Sequence, residues 1–183
     1  MLVTNTSKTA GWLTPLNDEP ARDAALEQQL STWIQGLTGL AADRVAVDDG
    51  ASPPAWLPTG ESGCAFMVMK IAAEGTPVLT NQQEDNVQLW RDELMECRLH
   101  FYGPSAQLYA ARFRDGNTLT QNLAALKQLS LGVSDCSDIT TLLETVNNVQ
   151  TRRYELTVNV VRKIFRLYGI YSLVETPVQF FGE

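Results

Sequence analysis

The sequence predicts an α+β fold: a single mainly antiparallel, mixed β-sheet with helices packed on one face. Extended N- and C-terminal arms and a long loop lie outside it. Three stretches carry that prediction. Residues 94–116, LMECRLHFYGPSAQLYAARFRDG, read as a strand, a sharp corner and a helix. Residues 152–168 alternate apolar and polar side chains as a half-buried strand does. Residues 20–36 carry an apolar stripe at helical spacing.

In the first stretch, Met95, Cys97, Leu99 and Phe101 fall on one side of a period-2 pattern, with Glu96, Arg98 and His100 on the other. Gly103-Pro104 breaks the pattern, and proline suits a first helical turn. A helix over 104–115 follows, with Gly116 available for a left-handed cap. Upstream, Asn17 or Asp18 is placed to cap the helix over 20–36, whose stripe is Leu26, Leu30, Trp33, Ile34 and Leu37. Gly36 and Gly39 mark its exit, and residues 44–47 are a short strand candidate.

Residues 48–63, DDGASPPAWLPTGESG, form a proline- and glycine-rich loop with Trp56-Leu57 at its centre. That pair either tucks into its own domain or offers a docking surface. Residues 64–73 have β character and 77–80 read as a continuation, while 87–90 lead into the central strand. A helix over 118–129 and a strand over 131–136 follow; 138–149 is ambiguous. In the last strong element Tyr154, Leu156, Val158 and Val160 alternate with Arg153, Glu155, Thr157 and Asn159. The adjacent Val160-Val161 predicts a bulge there. The expected organisation is an N-terminal arm at 1–16 and one α+β domain at 17–183. In the arm Trp12, Leu13 and Leu16 are apolar outside any regular element, so they bury in the chain's own core or on a neighbouring subunit.

The chain has 183 residues and a formal net charge of −7, which excludes a free-standing nucleic-acid binder with a basic footprint. The acidity belongs to the part up to Trp90; from Arg91 onward the two signs cancel. Arg152, Arg153, Arg162, Lys163 and Arg166 make the late strand locally basic, so the two halves are either solvated or complementary between subunits. The first residues, MLVTNTSKTA, lack the apolar core of a signal peptide, and no apolar run reaches membrane-spanning length. The expected setting is a reducing cytoplasm.

Catalytic patterns are missing. His100 and Cys97 are three apart on a strand and point to opposite faces, so they cannot readily share a metal. Cys64, Cys97 and Cys136 form no C-x-x-C pair, and Cys97 reads as a small core residue. There is no nucleophile elbow and no phosphate-binding glycine loop. The carboxylates around Glu84-Asp85 and Asp92-Glu93-Glu96 read as solvated charge. No catalytic residue, cofactor or metal is expected.

The stretches FYGPSAQLYAARFRDG and QNLAALKQL, with GWLTPLNDEP before them and RRYELTVNVVRK after, resemble the neck-terminator or tail-terminator proteins of tailed bacteriophages. The resemblance spans residues 11–180, and its matching positions are Tyr102-Gly103-Pro104, Arg112 to Gly116 and Arg152-Arg153-Tyr154. It implies a structural virion protein of the neck, not an enzyme. Such a protein forms a homomeric ring, typically hexameric, that caps the tail tube and joins it to the head connector. DNA passes through the lumen without specific binding, and no membrane is involved. Assembly would take place in the host cytoplasm. A head-completion adaptor of the same neck is the alternative, and an enzyme without a recognisable motif is a further one. Trp12, Leu13, Leu16, Trp56, Leu57, Arg152 and Arg153 are the candidate oligomer or partner contacts.

Overall fold

The computed structural model describes residues 12–50, 60–83, 85–146 and 149–170. Its elements are α1 (Asp23–Thr38), a 3-10 turn (Ala42–Arg44), β1 (Val45–Val47), β2 (Gly63–Thr80), β3 (Asn86–Tyr102), α2 (Ala106–Gly116), α3 (Thr120–Gln128), β4 (Leu131–Cys136), β5 (Thr140–Val146) and β6 (Val149–Gly169). The strands form one 6-stranded mixed sheet in the order β1-β2-β3-β6-β4, with β5 also on β6. The predicted α+β class holds, and the ambiguous residues 138–149 supply a strand.

β1 runs parallel to β2, pairing Val45 with Cys64 and Val47 with Phe66. β2 and β3 are joined only by residues 81–85, too short a link for a parallel crossover, so they form an antiparallel hairpin. β3 and β6 are antiparallel too: Glu93 lies beside Arg162, and His100 further along β3 lies beside Glu155 earlier in β6. β4 and β5 each pair antiparallel with β6.

The described residues gather into two compact units. The larger holds Ala21–Glu74 and Glu93–Lys163; the smaller holds residues 12–20, Gly75–Asp92 and 164–170. In the larger unit one sheet face carries Phe66, Met95, Leu99, Phe101, Leu156, Val158 and Val160, all buried beneath the three helices. Helix α1 contributes Leu26, Leu30, Trp33 and Ile34, α2 contributes Ala106, Ala110 and Phe113, and α3 contributes Leu126. Trp33 and Phe113 meet edge to face at 4.9 Å, which locks α1 on α2. Each such side chain stabilises the fold by about 1.5–3 kcal/mol on burial.

In the smaller unit the chain before α1 is fastened to the end of β6. Pro15 bridges Tyr168, and the Leu16 N–H donates to the Leu167 carbonyl at 2.7 Å. Asn17 then spans the strand: its Oδ1 accepts from the Leu167 N–H at 2.7 Å and its Nδ2 donates to the Phe165 carbonyl at 3.0 Å. Glu19 receives a forked contact from Arg166, at 3.2 and 3.1 Å. Trp90 packs on Phe165 at 4.9 Å between ring centres.

Three local expectations are corrected. Neither Asn17 nor Asp18 caps α1: the helix starts at Asp23, after Arg22, with no side-chain cap. Asn17 is engaged on β6 instead. Gly116 is not a left-handed stop, because α2 runs through it into Asn117. The Asn117 amide donates to the Phe113 carbonyl at 2.9 Å and the Thr118 hydroxyl to that of Asp115 at 2.7 Å, so side chains satisfy the last turn. The bulge lies on β4, not at Val160-Val161: Val133 faces Val160 and Asp135 faces Asn159, leaving Ser134 as the extra residue. Along β6 burial keeps its period through Leu156, Val158, Val160, Arg162 and Ile164. The apparent change of phase arose because an inward arginine reads as an outward one.

Candidate assembly site and buried charge

Within the larger unit two charged clusters occupy opposite faces of the sheet. On the helix-covered face, β3 places Glu93 in phase with Met95 and Cys97, and β6 places Arg162 in phase with Val160 and Ile164. Arg162 Nε donates to Glu93 Oε2 at 2.9 Å, and its Nη1 donates to the Ala21 carbonyl at 2.6 Å. Arg22 Nη2 donates to Glu93 Oε1 at 3.3 Å. Strand, strand and the entry to α1 are thus tied by one carboxylate. Burial pushes the Glu93 carboxyl up, but the hydrogen bonds and charges of Arg162 and Arg22 outweigh it and hold the group below the usual carboxylate range.

On the other face stand Arg98 and His100 of β3, Arg153 and Glu155 of β6, and Asp48 just past β1. His100 is buried, with Nδ1 3.3 Å from Asp48 Oδ2 and Nε2 3.0 Å from Glu155 Oε2. Both approaches are ion-pair distances, yet neither meets hydrogen-bond geometry. Arg98 and Arg153 flank Glu155 at 3.8 and 3.6 Å. The imidazole pKa is lowered, first by burial and then by Arg153, with Arg98 adding to it; Glu155 and Asp48 pull the other way.

A pH dependence follows. The folded state holds the His100 proton less tightly than the unfolded chain, whose imidazole titrates near about 6.5. This contribution is therefore fully present above that pH and lost as pH falls through the folded pKa, with a slope of at most about 1.4 kcal/mol per pH unit. Denaturant melts between neutral and mildly acidic pH should show stability falling more steeply for the native chain than for His100→Gln. Parallel profiles would contradict the assignment.

The cysteine thiols are held in the protonated form. Burial raises the thiols of Cys64, Cys97 and Cys136, the second to about 12 and the third to about 11, with Glu96 and Asp135 adding to the last two in turn. Among the described residues no cluster of His, Cys, Asp and Glu could hold a metal ion. Also among them, no helix is long and apolar enough to cross a membrane. On α2, Phe113 is buried and Arg112 lies over the Tyr109 ring at 5.7 Å, a packed helix with an arginine edge.

The candidate contact residues are placed as follows. Trp12 is 93% exposed, and Leu13 and Leu16 are each 48% exposed, on the segment held to β6 by Pro15, Leu16 and Asn17. Arg152 is exposed opposite Leu143 of β5. Arg153, its neighbour on the strand, projects from the opposite face and sits against Glu155. Trp56 and Leu57 lie outside the described residues. Of the basic run on β6, Arg162 is interior and Arg166 meets Glu19, so the strand presents less free charge than its sequence implies. Sequence reasoning missed Glu93 and Arg162 as partners, although both keep the apolar phase of their strands.

The larger unit is thus an open mixed sheet whose strands and helix entry are tied by buried charge. Residues 24–183 match the phage neck terminator protein family, and the chain belongs to that family. It is thus a structural component of the phage neck and of the virion. A search of curated proteins finds no match.

Proposed function

We propose that this protein closes into a homomeric, hexameric ring at the head-proximal end of the tail. There it caps the tail tube and offers the head connector a docking face. The observation that carries this reading is the family match over residues 24–183. Two features support it. Trp12, Leu13 and Leu16 present apolar surface from a segment whose exit point is fixed, as an assembly arm over residues 1–16 requires. Trp56-Leu57, Arg152 and Arg153 are further contacts. The net charge of −7 suits a lumen that lets DNA pass without specific binding, since carboxylates repel phosphate. Assembly takes place in the host cytoplasm, with no membrane and no catalytic step.

Phage produced without this protein should contain filled heads and separate tails, the tails with tubes of uncontrolled length. Supplying the protein in trans should restore joined particles. Normal particles in its absence would contradict the reading.

A further inference from the structure

The two ends of the sheet in the larger unit carry complementary features on one face. At the first end a groove of about 280 Å³ opens between α1 and β1. Val45, Val47 and Phe66 line its apolar side, and Glu27, Gln28 and Gln35 of α1 line its polar side. Val47 is 43% exposed there. The ionisable residues of α1 are Asp23 and Glu27, with no cation, so the helix side of the groove is acidic. Among the described residues no strand lies on the outer side of β1.

At the second end β5 lies beyond β6. The register sets Thr141 beside Tyr154, Leu143 beside Arg152 and Thr145 beside Gln150, so these side chains share one face. Arg152 is the only charged residue among them. Leu143 is 69% exposed, and Arg152 is exposed too. Further along β6 the same face continues as Leu156 and Val158, which belong to the core beneath the helices. Val45 and Phe66 belong to that core as well, so the groove and the Leu143–Arg152 patch open on the same side of the sheet.

We propose that the β5–β6 pair of one copy docks in the α1–β1 groove of the next, with Leu143 against Val47 and Arg152 against Glu27. This rests on the ring reading and names its interface. Charge commits the groove to a second copy: patch meeting groove joins Arg152 to Glu27, whereas groove with groove or patch with patch opposes like signs. Position agrees with it. The two surfaces sit at opposite ends of one sheet and face the same way, so copies placed side by side present one to the other. The contact is heterologous, and a single operation repeats it around a ring. Leu143 and Val47 supply the apolar contact that an exposed ion pair alone cannot.

The test is charge exchange read by light scattering and electron microscopy of the full chain. Arg152→Glu alone and Glu27→Arg alone should each weaken ring closure by about tenfold or more in protein concentration, because every interface then opposes like charges. An equimolar mixture of the two variants should recover closed rings, since each supplies the complement of the other, and so should the double variant. Leu143→Asp should weaken closure in the native background and in the double variant alike. Unchanged circular dichroism would confirm that the single variants are folded. Wild-type rings that none of these changes affects would overturn this interface and leave the ring reading standing. A wild-type chain that stays monomeric at high concentration would overturn both.

Discussion

Glu93→Ala should lower the stability of the fold by about 3–5 kcal/mol, because it leaves the Arg162 guanidinium buried without its counter-charge. Side-chain exposure is 4% for Arg162 and 10% for Glu93, so water cannot take the place of the lost carboxylate. Arg22, at 36%, can turn outward and is the lesser partner. Replacing both Glu93 and Arg162 by leucine should cost far less than either single change, since no orphaned charge remains. The native carboxylate also has a pH signature. Its pKa is depressed, so its contribution is present above the usual carboxylate range and is lost as pH falls through the folded value. Urea melts of the two single variants and the double variant, at neutral and acidic pH, check both statements. A single variant within about 1 kcal/mol of the native chain would refute the buried-pair account.

Gly103→Ala is the second change with a large expected effect. Gly103 stands at the corner between β3 and α2 with φ of +93°, in the left-handed half of backbone space. A β-carbon there would lie 2.6 Å from the Ser62 Cα and closer still to the Glu61 carbonyl oxygen. Both are backbone atoms, and the segment is fastened because the Ser105 N–H donates to Ser62 Oγ at 2.9 Å. Strain of about 1 kcal/mol and overpacking of about 1–3 kcal/mol should add to a loss near 3 kcal/mol. Gly39→Ala separates the two causes. Its φ of +78° is equally left-handed, but nothing lies within 4 Å of the added carbon. It should cost only about 1 kcal/mol. Equal losses at the two positions would mean that the close approach at Gly103 is not what the corner depends on.

The central strand, the corner and α2 were legible because local rules agree there: strict alternation, a Gly-Pro break and helical spacing in sequence. β6 was legible for the same reason. The role of Gly103 was only half visible, since Gly-Pro announces a corner but not which backbone lies against it. Glu93 and Arg162 could have been found by extending each alternation, which places both on the inner face with opposite signs. They were passed over because a lone charge is first read as solvated. The start of α1 was misread because Asn17, a good cap by type, is more strongly held by the Leu167 and Phe165 backbone, a long-range pairing no local rule contains. β5 escaped because ITTLLETV suits either a helix or a strand, and its register with β6 decides the matter. The His100 cluster was invisible for a similar reason: Asp48 and Glu155 are brought to one imidazole only by the sheet order.

Images of the purified full-length protein at high concentration test the ring most directly. Closed rings of uniform size, six subunits around a central opening, are the predicted result. A homogeneous monomer, or open filaments that never close, would contradict it.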